Sequence, residues 1–159
     1  MSTKLWDQRL MDMAALVASW SKDSTKIGCV IIGRGREILS VGYNGFPRGV
    51  DDSVEERFER PLKYLWTIHA EENAIFNASR IGVSLTGGTI YLNGDHGFPC
   101  TPCARAIVQC GIKNLVGLMP DLTNEKYAEE YKESMKMFQE AGVAFRHIRS
   151  IKPKPREGK

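Results

Sequence analysis

Long apolar runs are missing: no stretch of the 159 residues approaches the roughly 20 apolar side chains that a membrane-spanning helix needs. The first residues, Met1 to Asp7, also lack the apolar core of a secretion leader. A strong charge of one sign is missing as well. The formal net charge is +3, too mild to argue for a polynucleotide partner. Cysteine is scarce, with four in all, and two of them are spaced C-x-x-C. In a reducing compartment that spacing reads as metal or redox chemistry rather than as a disulfide framework. There is no internal repeat and no long linker. These absences lead to an expectation of a cytoplasmic protein with neither a membrane nor a nucleic acid as partner.

What is present is the composition of an ordinary globule, 42% apolar and 26% charged. The length suits one domain with its own core. Residues 1–150 are read as that single domain. The end, Lys152-Pro153-Lys154-Pro155-Arg156-Glu157-Gly158-Lys159, reads as a flexible basic tail over 151–159.

Periodicity divides the domain into elements. Leu5, Trp6, Leu10, Met13, Ala14, Val17 and Trp20 recur at helical spacing over residues 4–21. Residues 28–32 and 38–41 read as two strands of a hairpin around the turn at Arg34-Gly35-Arg36. Residues 44–66, rich in charge and holding Gly45, Pro47 and Gly49, read as a long functional loop. Helices follow at 69–81, 101–110 and 124–141, each closed by a glycine. Strands are expected at 89–92, 115–119 and 143–148. The order helix, then β-β-α-β-α-β-α-β, predicts an α/β fold with a helix-covered mixed sheet.

Two short segments carry the chemistry, His69-Ala70-Glu71 and Pro99-Cys100-Thr101-Pro102-Cys103. Each opens a predicted helix. Cys100 and Cys103, three apart, share one helix face, and a helix N-terminus favours thiolate over thiol. Two thiolates and one imidazole make three ligands for a tetrahedral Zn2+ and leave a fourth position open for water, as a catalytic site requires. Glu71 stands about 200° around the helix from His69, so the two are poor joint chelators. Glu71 is instead the candidate catalytic group, placed to take a proton from water that a metal activates. Its neighbour Glu72 reads as a solvated helix-face carboxylate. Cys29 and Cys110 read as plain core residues, His96 as a loop histidine, and His147 stands without a constellation.

His69-x-Glu71 followed by Pro99-Cys100-x-x-Cys103 matches the order H-x-E…P-C-x-x-C at every fixed position. At these residues the chain resembles the cytidine deaminase-like superfamily. Within it, the run Gly42-Tyr43-Asn44-Gly45-Phe46-Pro47-Arg48-Gly49-Val50-Asp51-Asp52 looks like the substrate and regulatory loop of deoxycytidylate (dCMP) deaminases. Ser21 to Gly28 and Lys63-Tyr64 ahead of His69 look similar too, so the likeness covers roughly residues 5–148.

The resemblance implies a three-layer α/β/α sandwich with a mixed five-stranded sheet. It implies hydrolysis of dCMP to dUMP and ammonia, feeding thymidylate synthesis, with zinc on His69, Cys100 and Cys103 and with Glu71 relaying the proton to N3 of the ring. It implies that Asn44 contacts the nucleoside; as a residue before Gly45 it also reads as a turn asparagine. A nucleotide needs cations for its phosphate, and Lys22, Lys26 and Arg48 are the candidates, each also readable as a solvated surface charge. Tyr127 adds a candidate hydroxyl donor, or simple packing. The resemblance further implies dCTP as activator and dTTP as inhibitor, with Tyr43, Gly45, Arg48 and Asp51 as the allosteric loop, and a homo-oligomer, a hexamer first.

Other readings stay open at this point. The ring substrate could be dCTP, cytidine, guanine or a tRNA adenosine. The chain could be a zinc-bearing regulatory subunit without activity, although Glu71 would then have no use. A redox protein would use Cys100 and Cys103 but would have no need of His69.

Overall fold

A computed structural model describes residues 3–148; the tail read from the sequence at 151–159 lies outside them. In chain order the elements are α1 (Thr3–Ala18), β1 (Ile27–Ile32), β2 (Ile38–Tyr43), a short 3-10 turn (Glu55–Phe58), α2 (Lys63–Trp66), α3 (Ala70–Ile81), β3 (Thr89–Gly94), α4 (Thr101–Gln109), β4 (Asn114–Gly117), α5 (Glu125–Glu140) and β5 (Ala144–His147). Every expected helix and strand is found, with ends moved by a few residues. The stretch read as loop at 44–66 is more ordered than expected. Phe46 stacks on Phe58 at 4.4 Å, and the Arg57 guanidinium lies 4.0 Å above the Trp66 ring. Those contacts fold it around the 3-10 turn and α2.

The five strands are ordered β2-β1-β3-β4-β5. β1 pairs antiparallel with β2 and with β3, whereas β3, β4 and β5 run parallel. The sheet is therefore mixed, because a tight turn joins β1 to β2 while helical crossovers join the parallel strands. Side chains alternate across it. Val30 and Ile32 of β1 pack with Leu10, Met11, Ala14 and Val17 of α1. Cys29 and Ile31, pointing the other way, pack with Ala70, Ala74, Ala78, Ala104 and Ile107 of α3 and α4 and with Phe138 of α5. One helix on one face and three on the other make the α/β/α sandwich. Near-complete burial of β1 on both faces explains its uninterrupted apolar run.

Close approach of α3 to β2 is what aims the site. A Cβ on Gly42 would collide with the backbone of Ala70 and Ala74. Only glycine there, facing the alanine stripe of α3, lets the helix settle against the sheet with His69 and Glu71 at its leading end.

Candidate active site

His69 and Cys100 occupy the same structural position on two different helices. Each is the N-cap residue, with extended backbone, and neither side chain caps its own helix. Both side chains are therefore free to turn toward one another. His69 Nδ1 lies 3.3 Å from Cys100 Sγ and 3.4 Å from Cys103 Sγ. The three donor atoms all fall within 4.8 Å of one another. Ordinary zinc bond lengths in a tetrahedron separate nitrogen from sulfur by about 3.5 Å, so the spacing suits that ion.

The electrostatics suit it as well. Cys100 is drawn down to about 5 by its hydrogen bond with the Cys103 thiol and by its bond to His69, against the burial that opposes the shift. Cys103 is pushed far above its ordinary value by the same bond to Cys100 and by its own burial. The bond to Cys100 holds the His69 imidazole up at about 9. One imidazole and two sulfurs thus compete for protons at one point. A divalent cation satisfies such a set better than protons do.

Glu71, in the first turn of α3, is 4% exposed. Burial pushes its carboxyl up to about 7, with the nearby Cys100 sulfur adding to the rise. It lines a cavity of about 300 Å³ together with His69 and Cys100. The walls are aromatic and apolar in large part, from Ile27, Phe98, Pro102, Tyr127 and Tyr131. A carboxyl that titrates near neutrality, set beside a metal-type triad in an apolar cleft, is the arrangement general acid–base chemistry needs.

The other expected site residues divide. Asn44 is buried on the cavity wall; its Oδ1 accepts from Ile27 N at 2.8 Å and its Nδ2 donates to Thr25 O at 2.7 Å. Tyr127 lines the cavity, stacked on Tyr131. Lys22, Lys26 and Arg48 do not line it. Lys22 pairs with Asp52 at 2.8 Å on the surface, Lys26 donates to the Ser21 carbonyl, and Arg48 donates to Asn77 Oδ1 at 2.7 Å. All three are exposed and bound to other partners. Tyr43, Gly45 and Asp51 also lie outside the cavity. Tyr43 packs edge-on against Trp20, Asp51 accepts from Ser53, and Gly45 forms a two-way backbone bridge with Ile68, next to His69.

Different cations take up the mouth. Arg60, Lys63 and Tyr64 line it, and the Lys126 ammonium reaches Tyr64 Oη at 3.2 Å. Lys63 is bound to Asp23, but neither Arg60 nor Lys126 forms an ion pair among the described residues. His96, read from sequence as a loop histidine, stands on the cavity wall beside Tyr127, and Glu130 of α5 stands there too. No spacing in the sequence marks these residues, because they come from segments that only the fold brings together.

Residues 4–119 match the model of the cytidine and deoxycytidylate deaminase zinc-binding region. The chain belongs to the cytidine and deoxycytidylate deaminase family. Relatives in it include an uncharacterized deaminase from the luxG 3′ region of Aliivibrio fischeri, 45% identical over 87% of this chain and 90% of that protein. Human deoxycytidylate deaminase is 35% identical over 89% of this chain and 78% of its own length. The fold agrees with the crystal structure of a dCMP deaminase from cyanophage S-TIM5 in complex with dCMP and dUMP, with a TM-score of 0.71 at 22% identity, covering 93% of this chain and 99% of that one. This deaminase carries the zinc cofactor of its family, and no helix among the described residues is long and apolar enough to cross a membrane.

Proposed function

We propose that this deaminase hydrolyses dCMP to dUMP and ammonia, with His69, Cys100 and Cys103 as zinc ligands and Glu71 as the acid–base group. One observation carries the reading. A single cavity is lined by His69 and Cys100 of the metal-type triad, by the buried Glu71 carboxyl and by Arg60, which has no ion-pair partner among the described residues, with Lys126 beside it on Tyr64. The deoxycytidylate deaminases among the relatives support the same substrate.

Bound at the triad, zinc supplies a Lewis acid that activates water for attack at C4 of the pyrimidine. The protein's own groups do the rest. Glu71, held near neutrality by burial, takes a proton from the water and passes it to ring N3, then carries the remaining proton of the new C4 hydroxyl to the departing amine. The balance is one water added, one ammonia released and a carbonyl left at C4. Phe98, Tyr131, Ile27 and Pro102 form walls that exclude bulk water from the ring. Asn44 keeps one amide hydrogen and one lone pair beyond its two bonds to the backbone, enough to contact the sugar. Arg60 and Lys126, bridged by Tyr64, take the 5′-phosphate.

The resemblance supports the finer readings. Effector nucleotides, dCTP as activator and dTTP as inhibitor, act through Tyr43, Gly45, Arg48 and Asp51. These residues lie outside the cavity, so an effector there would not compete with substrate. The working form is a homo-oligomer, a hexamer first. The compartment is the cytoplasm, in keeping with four free thiols among the described residues.

The deciding experiment is ammonia release by zinc-loaded protein offered dCMP, dCTP, CMP, deoxycytidine and cytidine, each with and without effector. Turnover of dCMP well above the other four is expected. Equal turnover of deoxycytidine would remove the phosphate from the reading, and no turnover of any of the five would remove the substrate class.

A further inference from the structure

The first turn of α4 is held in an unusual way. Its N-cap residue, Cys100, offers no side-chain cap, because Sγ is turned toward His69. A helix start leaves backbone N–H groups without intrahelical partners. Of the first two here, Pro102 has none to offer. The N–H of Thr101 remains. It donates to Glu130 Oε1 at 3.2 Å, and Thr101 Oγ1 donates to the same oxygen at 3.1 Å. Glu130 belongs to α5, so this cap arrives from a different helix. Its negative charge also suits the positive end of α4.

We propose that Glu130 is a positioning residue, which from α5 clamps the first turn of α4 and so keeps the Cys100 and Cys103 sulfurs set against His69 Nδ1. The assignment rests on the zinc reading of the site. The Cys100 sulfur is turned toward His69, so the Thr101 N–H at the start of the helix needs an acceptor from elsewhere. Glu130 takes over the capping, which frees Cys100 as a ligand. Groups that orient ligands in this manner commonly tune metal affinity 10- to 100-fold.

The test is competition for zinc against a chromogenic chelator, using the full chain. Glu130→Ala should weaken zinc binding about 10- to 100-fold. Glu130→Gln keeps an acceptor oxygen and should stay within about threefold of wild type. Thr101→Pro removes both donors from the other side of the clamp. Proline is well tolerated in a first helical turn, so this variant carries the test even where Glu130→Ala fails to fold. It should lose as much as Glu130→Ala, and the double variant no more than either, because both break one interaction. Unchanged zinc affinity in both single variants, additive losses, or a Glu130→Gln loss equal to that of Glu130→Ala would each overturn the clamp. Wild-type protein that takes up no zinc would overturn the metal reading beneath it, and the clamp with it.

Discussion

The Lys63 ammonium lies 2.8 Å from the Asp23 carboxylate, with both side chains nearly out of water in the wall of the cavity. Asp23 also accepts from Thr25 N at 2.9 Å. The pair therefore ties α2 to the loop ahead of β1, two segments that frame the cavity. Removing one partner of a buried pair leaves the other uncompensated, at about 3–5 kcal/mol. Lys63→Met should lose stability on that scale, read as a fall in the urea midpoint, and Asp23→Asn added to it should recover much of the loss. A single variant as stable as wild type would show that the pair contributes nothing.

The same pair predicts a pH dependence. Burial alone would raise the Asp23 carboxyl, but the bonds from Lys63, Thr25 and Ser24 outweigh it and hold the group below its ordinary 3.8. A carboxyl whose folded pKa is depressed adds stability above its unfolded value, and that stability is lost as pH falls through the folded value. Wild-type stability should therefore drop more steeply than that of Asp23→Asn once the pH is below about 4. Parallel curves for the two proteins would contradict the assignment.

Glu71 carries the catalytic prediction. Its removal takes away a proton relay but none of the three donor atoms of the triad. Glu71→Gln should keep fold and zinc content while kcat on dCMP falls about 10²- to 10⁴-fold. Turnover near wild type would dismiss Glu71 as the acid–base group, whereas loss of zinc in this variant would recast it as part of the metal site.

The framework could be read from the chain because its signals are local. Apolar alternation along β1, glycine stops after the helices and the spacing within His69-x-Glu71 and Cys100-x-x-Cys103 each lie within a few residues. The cavity mouth follows no such rule. Lys22, Lys26 and Arg48 stand close in sequence to motif residues, yet all face outward. Tyr64 and Lys126 stand 62 residues apart, and only the folding of α5 beside α2 brings them and Arg60 together. Glu130 sits in a charged helix where it is indistinguishable from a solvated carboxylate until Thr101 is found beside it.

Arg60 and Lys126 should act on phosphate and nothing else. Both cations attend the Tyr64 ring, at 6.0 and 5.5 Å from its centre. A hydrogen bond to a charged group contributes about 1.5–3 kcal/mol, so Arg60→Ala and Lys126→Ala should each raise the KM for dCMP about tenfold or more, with kcat little changed. Deoxycytidine, which has no phosphate, should be turned over by variants and wild type alike. Equal losses on both substrates would mean that the substitutions disturb the cavity rather than remove a phosphate contact.

Asn44 separates a scaffold role from a binding role. Its side chain joins the loop before β1 to the end of β2 through Ile27 N and Thr25 O, and its backbone carbonyl accepts from Ser21 Oγ at 2.7 Å. Asn44→Asp keeps the acceptor for Ile27 N but sets a carboxylate oxygen against the Thr25 carbonyl, where an amide hydrogen used to be. Loss of a buried partner costs about 1–3 kcal/mol, so the melting temperature should fall. If Asn44 also faces substrate, the new negative charge in the cavity wall should raise the KM for anionic dCMP more than that for neutral deoxycytidine. A lowered melting temperature with both KM values unmoved would leave Asn44 a strut for the loop, and the contact with the sugar would have to come from another residue on the wall.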